Sequence, residues 1–144
     1  MAEIERPVLS KAEKIRKFGE VFTPDWVVRD MCDMLERENP DAFLPEKTFL
    51  EPCCGEGVFV CEILRRKFVK CKTRKDYTTA LKSVYAMELQ VDNVEKTIAA
   101  VNKLCEATFR ITKEERETIK DHVIQADSLK VMRMINDMNE LEAK

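Results

Sequence analysis

Two glycines separated by a single residue, Gly55 and Gly57, stand between a short apolar run, Thr48-Phe49-Leu50, and an amphipathic run that begins at Val58. Glycine between a strand and a helix lets the backbone take left-handed dihedrals and lets a ligand come close to the chain. The amides at the start of the helix point at that ligand. Elsewhere glycine is scarce: the 144 residues hold three, where about 10 is average for this length. The third, Gly19, lies just ahead of Phe22-Thr23-Pro24. Backbone freedom is therefore concentrated at one loop.

The apolar periods on either side place that loop in a fold. Residues 48–50, 83–87 and 122–125 read as short strands. Residues 11–18 suit a short helix ending near Gly19. Thr23, Pro24 and Asp25 suit the N-cap, first position and first turn of another helix. Its stripe is Trp26, Val27, Asp30, Met31, Met34 and Leu35. Asn39-Pro40 and Pro45 mark a loop. The run after Gly57 places Val58, Phe59, Ile63, Leu64 and Phe68 in a helix. Residues 92–109 form a helix with Val94, Ile98, Val101, Leu104 and Cys105 inward, and Thr112 with Glu115 is a capping box for the next one. In the tail, Met132, Ile135, Met138 and Leu141 recur every three residues. Strands alternating with helices predict a parallel α/β sheet that binds its ligand at the carboxyl ends of the strands. The expected organisation is a polar arm over residues 1–14, one ligand-binding domain over 15–130, and an amphipathic helix over 131–144.

Composition narrows the chemistry. Apolar residues are 44% and charged residues 36%, with 25 basic against 27 acidic, which excludes a disordered or collagen-like chain. No apolar run reaches the roughly 18 residues of a membrane helix, and the first residues lack an apolar signal region. The six cysteines include no Cys-x-x-Cys pair and His122 is the single histidine, so zinc-ligand spacing is missing. Reduced cysteines and a cytoplasmic location are the expectation. Val60 occupies the position where a dinucleotide fingerprint has its third glycine, which disfavours NAD and FAD. The absence of Gly-Lys-Ser/Thr excludes a P-loop. A net charge of −2 argues against a surface devoted to phosphate, although residues 65–75 hold seven basic side chains and no acidic one. That run reads either as a helix C-terminus entering a solvated loop or as a DNA-backbone contact. On this topology it lies at the amino ends of the strands, away from the ligand.

Four segments, in order, resemble the cofactor-binding half of the S-adenosylmethionine-dependent adenine-N6 DNA methyltransferases of restriction–modification systems, including type I modification subunits. Gly19-Glu-Val-Phe-Thr-Pro24 is similar to their Phe-Thr-Pro element. Leu50-Glu-Pro-Cys-Cys-Gly-Glu-Gly-Val-Phe59 is similar to their Asp-Pro-x-x-Gly-x-Gly-x-Phe loop, with Glu51 in place of aspartate. Tyr85-Ala-Met-Glu-Leu-Gln-Val-Asp-Asn93 resembles the second-strand motif that carries an acid. Ala126-Asp-Ser-Leu129 resembles the Asp-Ser/Ala-Leu motif after the third strand.

The resemblance implies a truncated Rossmann-like methyltransferase fold, with about three parallel strands, flanking helices and an N-terminal helical segment. It implies S-adenosylmethionine as cofactor. Phe22, Thr23 and Pro24 would hold the methionyl end. Glu51, with Pro52 and Cys53 beside it, would help receive the amino group. The backbone at Gly55 and Gly57 would approach the cofactor. Glu88, followed by Leu89, would accept from the ribose hydroxyls. Asp127, with Ser128, would accept from the adenine amino group, and Leu129 or Phe109 would cover the ring.

The same resemblance identifies an absence. The adenine enzymes place Asn-Pro-Pro-Tyr after a fourth strand to hold the flipped base, and no such tetrapeptide occurs here. No catalytic residue is therefore assigned. Three readings stay open: a DNA adenine-N6 methyltransferase-like protein incomplete for catalysis alone, one half of a split enzyme, or a non-catalytic protein-binding factor such as a phage anti-restriction protein. In each, the edge left by the missing fourth strand needs a cover. The tail helix, a second copy of the chain or a different protein partner would serve. DNA is a partner only in the catalytic readings, and no metal or membrane is expected.

Overall fold

A computed structural model describes residues 9–13 and 22–143. The expected 11–18 helix lies mostly outside the described residues, as do Gly19, Glu20 and Val21. The elements that follow are α1 (Asp25–Glu38), β1 (Phe49–Glu51), α2 (Val58–Val69), α3 (Arg74–Lys82), β2 (Val84–Glu88), α4 (Val91–Thr108), α5 (Lys113–His122), β3 (Val123–Gln125) and α6 (Ser128–Glu142). This is an α/β fold with an open sheet of three parallel strands, a truncated Rossmann-like arrangement.

Local chemistry explains most boundaries. α5 starts at the capping box read from the sequence: the Thr112 hydroxyl accepts from the Glu115 amide and the Glu115 carboxylate from the Thr112 amide. α1 starts one residue later than expected. Pro24 is its N-cap, with φ −62° and ψ 149°, and the Pro24 carbonyl accepts from the amides of Val27 and Val28. Thr23 therefore makes no cap.

One helix was not anticipated. α3 begins at a second capping box, Thr73 with Asp76, inside the stretch read as a solvated basic loop. Most of that basic run is consumed internally. Arg66 bridges Asp33, Glu36 and Glu62, Arg65 pairs with Glu62, Lys70 with Glu36, and Arg74 with Glu115. Lys67 is wholly buried and donates to the carbonyls of Leu44, Pro45 and Lys47, tying α2 to the loop before β1. Burial lowers its pKa to about 8. The run thus serves the packing of α1, α2 and α5, and offers little continuous free charge.

The strand order is β1-β2-β3, with Phe49 opposite Val84 and Ala86 opposite Val123. Both crossovers step in the same direction. Right-handed connections of that kind place their helices on one face of the sheet, and α2, α3, α4 and α5 all pack against β2. Beneath them lies the core, built from Phe43, Leu64, Phe68, Ala80, Val84, Ala86, Val101, Cys105 and Ile119 among others. All six cysteines are free thiols, and four of them, Cys32, Cys54, Cys61 and Cys105, are buried.

Side chains on a strand alternate between faces, and here the alternation separates a covered face from an open one. Val84 and Ala86 are buried, while Tyr85 between them is 39% exposed; Leu50 is 52% and Ile124 45% exposed. α6 packs substantially against no described element, and Ser128 is its one buried residue. The tail is a helix, as its period predicts, but its apolar residues face solvent. α1 likewise departs from expectation. It packs through Val28 and Cys32, and Trp26, Met31 and Met34 of the sequence stripe are exposed.

Candidate cofactor site

The carboxyl ends of the three strands carry Glu51, Glu88 and Gln125, and the next turn brings Asp127. Glu51 pairs in register with Ala86, and Glu88 with Gln125. Neighbouring strands are about 4.8 Å apart, so three carboxylates are gathered along one end of a narrow sheet.

The loop between β1 and α2 is held over that end by backbone and side-chain bonds. The Cys54 amide donates to the Met87 carbonyl at 3.0 Å, and the Gly57 amide to the Cys54 carbonyl at 2.8 Å. Gly55 and Gly57 both take positive φ, +54° and +93°. The two glycines are required for different reasons. A Cβ on Gly55 would meet nothing within 4 Å, so only its dihedral excludes other residues. A Cβ on Gly57 would lie 3.0 Å from Thr97 Cγ2 and 3.2 Å from Thr97 Cα, so close packing against α4 excludes them as well.

Thr97 was not singled out from the sequence. It is fully buried on α4, and its hydroxyl donates to the Gly55 carbonyl at 2.9 Å. Cys54 Sγ lies 3.6 Å from the same hydroxyl. Burial pushes the Cys54 thiol up to about 11, against the pull of that hydrogen bond. The signal for Thr97 was its place in the inward stripe Val94, Val101, Cys105: a polar residue at a core position needs a partner.

The remaining expected residues fall as follows. Glu51 is half-buried and accepts from the Cys53 amide at 3.1 Å, so its carboxylate braces its own loop. Pro52 is half-buried and Cys53 exposed. Cys53 Sγ sits 3.5 Å from Ser128 Oγ, which joins the β1 loop to the start of α6. Glu88 is buried at the end of β2. The Leu89 carbonyl accepts from Gln125 Nε2 at 2.9 Å and its side chain is exposed, as is Leu129. Asp127 is the N-cap of α6, accepting from the amides of Leu129 and Lys130. The Ala126 amide donates to the Glu88 carbonyl.

Phe22 and Thr23 are half-buried and Pro24 exposed. The helix that follows them, α1, stands beside the glycine loop. Asp25 and Arg29 from α1 line one cleft of about 260 Å³ with Glu56, Gly57 and Arg65. Phe109 does not join the site. It stacks on Tyr77 at 4.7 Å and meets Phe68 edge-on at 5.5 Å, under α2 and α3. A larger cleft, about 440 Å³, lies between α3 and α5, remote from the strand ends. Among the described residues no cluster of histidine, cysteine and acidic side chains could hold a metal. No helix among them is long and apolar enough to cross a membrane.

Over 105 residues, 73% of the chain, the sequence is 27% identical to the type II methyltransferase M.VspI of Vibrio sp. (strain 343). The likeness supports a methyltransferase relationship. The chain spans 22% of that protein's length. No family model matches the chain, and no solved structure matches it. An open glycine loop above a row of strand-end carboxylates fits a cofactor that combines an amino acid with a nucleoside, because it offers backbone approach at one end and hydroxyl acceptors at the other.

Proposed function

We propose that the chain binds S-adenosylmethionine across the carboxyl ends of β1, β2 and β3, as the cofactor-binding part of a DNA adenine-N6 methyltransferase-like protein. The observation that carries this reading is the glycine loop. Gly55 is left-handed, its Cβ direction is open, and its carbonyl is held from behind by Thr97. Such a loop leaves room for a ligand in front of it.

In this reading the methionyl end lies against Phe22, Thr23 and Pro24 and the loop Glu51, Pro52, Cys53. Gly55 and Gly57 let the chain approach the cofactor. Glu88 accepts from the ribose hydroxyls. Asp127 accepts from the adenine amino group, with Ser128 and Leu129 beside it. The cofactor supplies the methyl group for transfer, and these residues bind and orient it. The target-holding loop is not among them, so transfer to DNA needs residues that these motifs do not include. The internal pairing of Arg65, Arg66, Lys70 and Arg74 gives the 65–75 run no role in gripping DNA in this reading.

Calorimetry with S-adenosylmethionine and S-adenosylhomocysteine tests it, wild type beside Glu88→Ala and Asp127→Ala. Saturable binding that either substitution weakens at least tenfold supports the site. Silence at millimolar ligand removes it. Labelled-methyl transfer to adenine-containing DNA then separates an enzyme from a binder.

A second reading, a non-catalytic factor that binds protein, is favoured by the apolar residues left in solvent on α1 and α6. Retention of a methyltransferase fragment as a partner's decoy, in an anti-restriction role, is one form of it, and half of a split enzyme is another. A cytoplasmic location suits all of them.

A further inference from the structure

The open face of the sheet and the apolar face of α6 are each without a described partner. On α6, Val131, Met134, Ile135 and Met138 fall within one side of the helix at three- and four-residue spacing. Ile135 is 47% and Met138 60% exposed. None of these four is charged, and neither are Leu50, Tyr85 and Ile124, the exposed apolar side chains of the sheet face, where His122 stacks on Tyr85 at 4.2 Å and Met87 is already buried. A sheet apolar on both faces is stable only when a second layer covers each. The two surfaces are of the kinds that form such a layer, and they belong to the same chain.

We propose that a second copy of this chain supplies the missing layer: α6 of each copy lies across Leu50, Tyr85 and Ile124 of the other, in a two-fold symmetric exchange. A two-fold interface needs a patch complementary to itself, and a chain that carries both an unpacked helix and an uncovered sheet face meets that requirement. The exposed parts of the apolar residues on the two surfaces together come to about 600 Å² per copy, at the low end of the range for a stable interface. Pairing through the free edge of β1 is the weaker alternative. β1 has three residues, so an edge-to-edge contact forms few hydrogen bonds and leaves the sheet face bare. Arg133, Asp137 and Glu140 lie off the apolar side of α6; Glu142 continues that side at its last turn, beyond the four apolar residues.

The inference does not rest on the cofactor reading, and its test uses no ligand. Sedimentation equilibrium on the full chain at about 100 μM should give twice the mass of one 16.8 kDa chain. Ile135→Glu with Met138→Glu should convert it to monomer with an unchanged circular dichroism spectrum, because α6 contributes almost nothing to the monomer's packing. Ile124→Lys, on the opposite surface, should do the same. In a Cys53→Ser background, chains carrying Ile124→Cys mixed with chains carrying Ile135→Cys should oxidise to a covalent heterodimer. The proposal is overturned by a monomer at every concentration, by a dimer that survives both charge substitutions, or by a disulfide that closes within one chain when it carries both cysteines.

Discussion

The Thr97 hydroxyl donates to the Gly55 carbonyl at 2.9 Å across a separation of 42 residues. This bond fixes the glycine loop to α4 from behind, so the conformation of the loop does not depend on a ligand in front. Thr97→Val keeps the shape and removes the donor. It should cost about 1–2 kcal/mol, the penalty of a partly buried carbonyl left without its partner. Urea unfolding measures that loss. Calorimetry should show weaker S-adenosylmethionine binding as well, if the loop is the site.

The two glycines should respond differently to alanine. Gly55→Ala bears only the left-handed dihedral, about 1–2 kcal/mol. Gly57→Ala adds overlap with the Thr97 side chain and backbone, and should be the more destabilising of the pair by at least about 1 kcal/mol. Thermal or urea melts of both variants settle the order, and equal losses would contradict the packing argument.

Glu115 makes the fold acid-sensitive in a defined window. Burial alone would raise its carboxyl, but hydrogen bonds from Arg74, from the Thr112 amide and hydroxyl, and from Thr78 outweigh it and hold the pKa down to about 2. A carboxyl whose folded pKa lies below its unfolded value binds its proton more readily in the unfolded chain. Its contribution is fully present above about 4.5 and is lost as pH falls toward 2. The size is up to about 3 kcal/mol. Unfolding free energies at pH 6 and pH 3 should differ more in the wild type than in Glu115→Gln.

Lys67 is a second buried ionisable group with a structural task, and its three carbonyl acceptors lie in the loop before β1. Lys67→Met preserves bulk and strips those carbonyls of their donor. A loss of about 2–4 kcal/mol is expected. Hydrogen exchange should show the 44–47 segment opening first, since that is where the lost bonds end.

Asp127 has a structural task that must be separated from any ligand contact. It caps α6, and Asp127→Ala should remove about 1 kcal/mol of helix stability. Serine caps nearly as well but is shorter. Asp127→Ser should therefore leave the melt close to wild type while still reducing S-adenosylmethionine affinity. Unchanged affinity in Asp127→Ser would reassign the residue to capping alone.

Sequence determined what is local. The strands at Phe49, Val84 and Val123, the capping box at Thr112 and the glycine loop depend on neighbours within a few residues, through periodicity, hydrogen-bond reach and allowed dihedrals. Their alternation along the chain, which predicts a parallel sheet, was legible for the same reason. The second capping box, Thr73 with Asp76, was equally local but was masked by the surrounding positive charge.

Only the tertiary structure decided what depends on partners far apart in the chain. It put Thr97 behind Gly55, sent Phe109 to Phe68 and Tyr77 instead of the strand ends, and spent the basic run on Asp33, Glu36, Glu62 and Glu115. It also showed that the apolar stripes of α1 and α6 are left in solvent. An apolar period says that a helix has a face to bury; whether anything covers that face is a property of the assembled layers, because burial is a relation between surfaces and not of one segment.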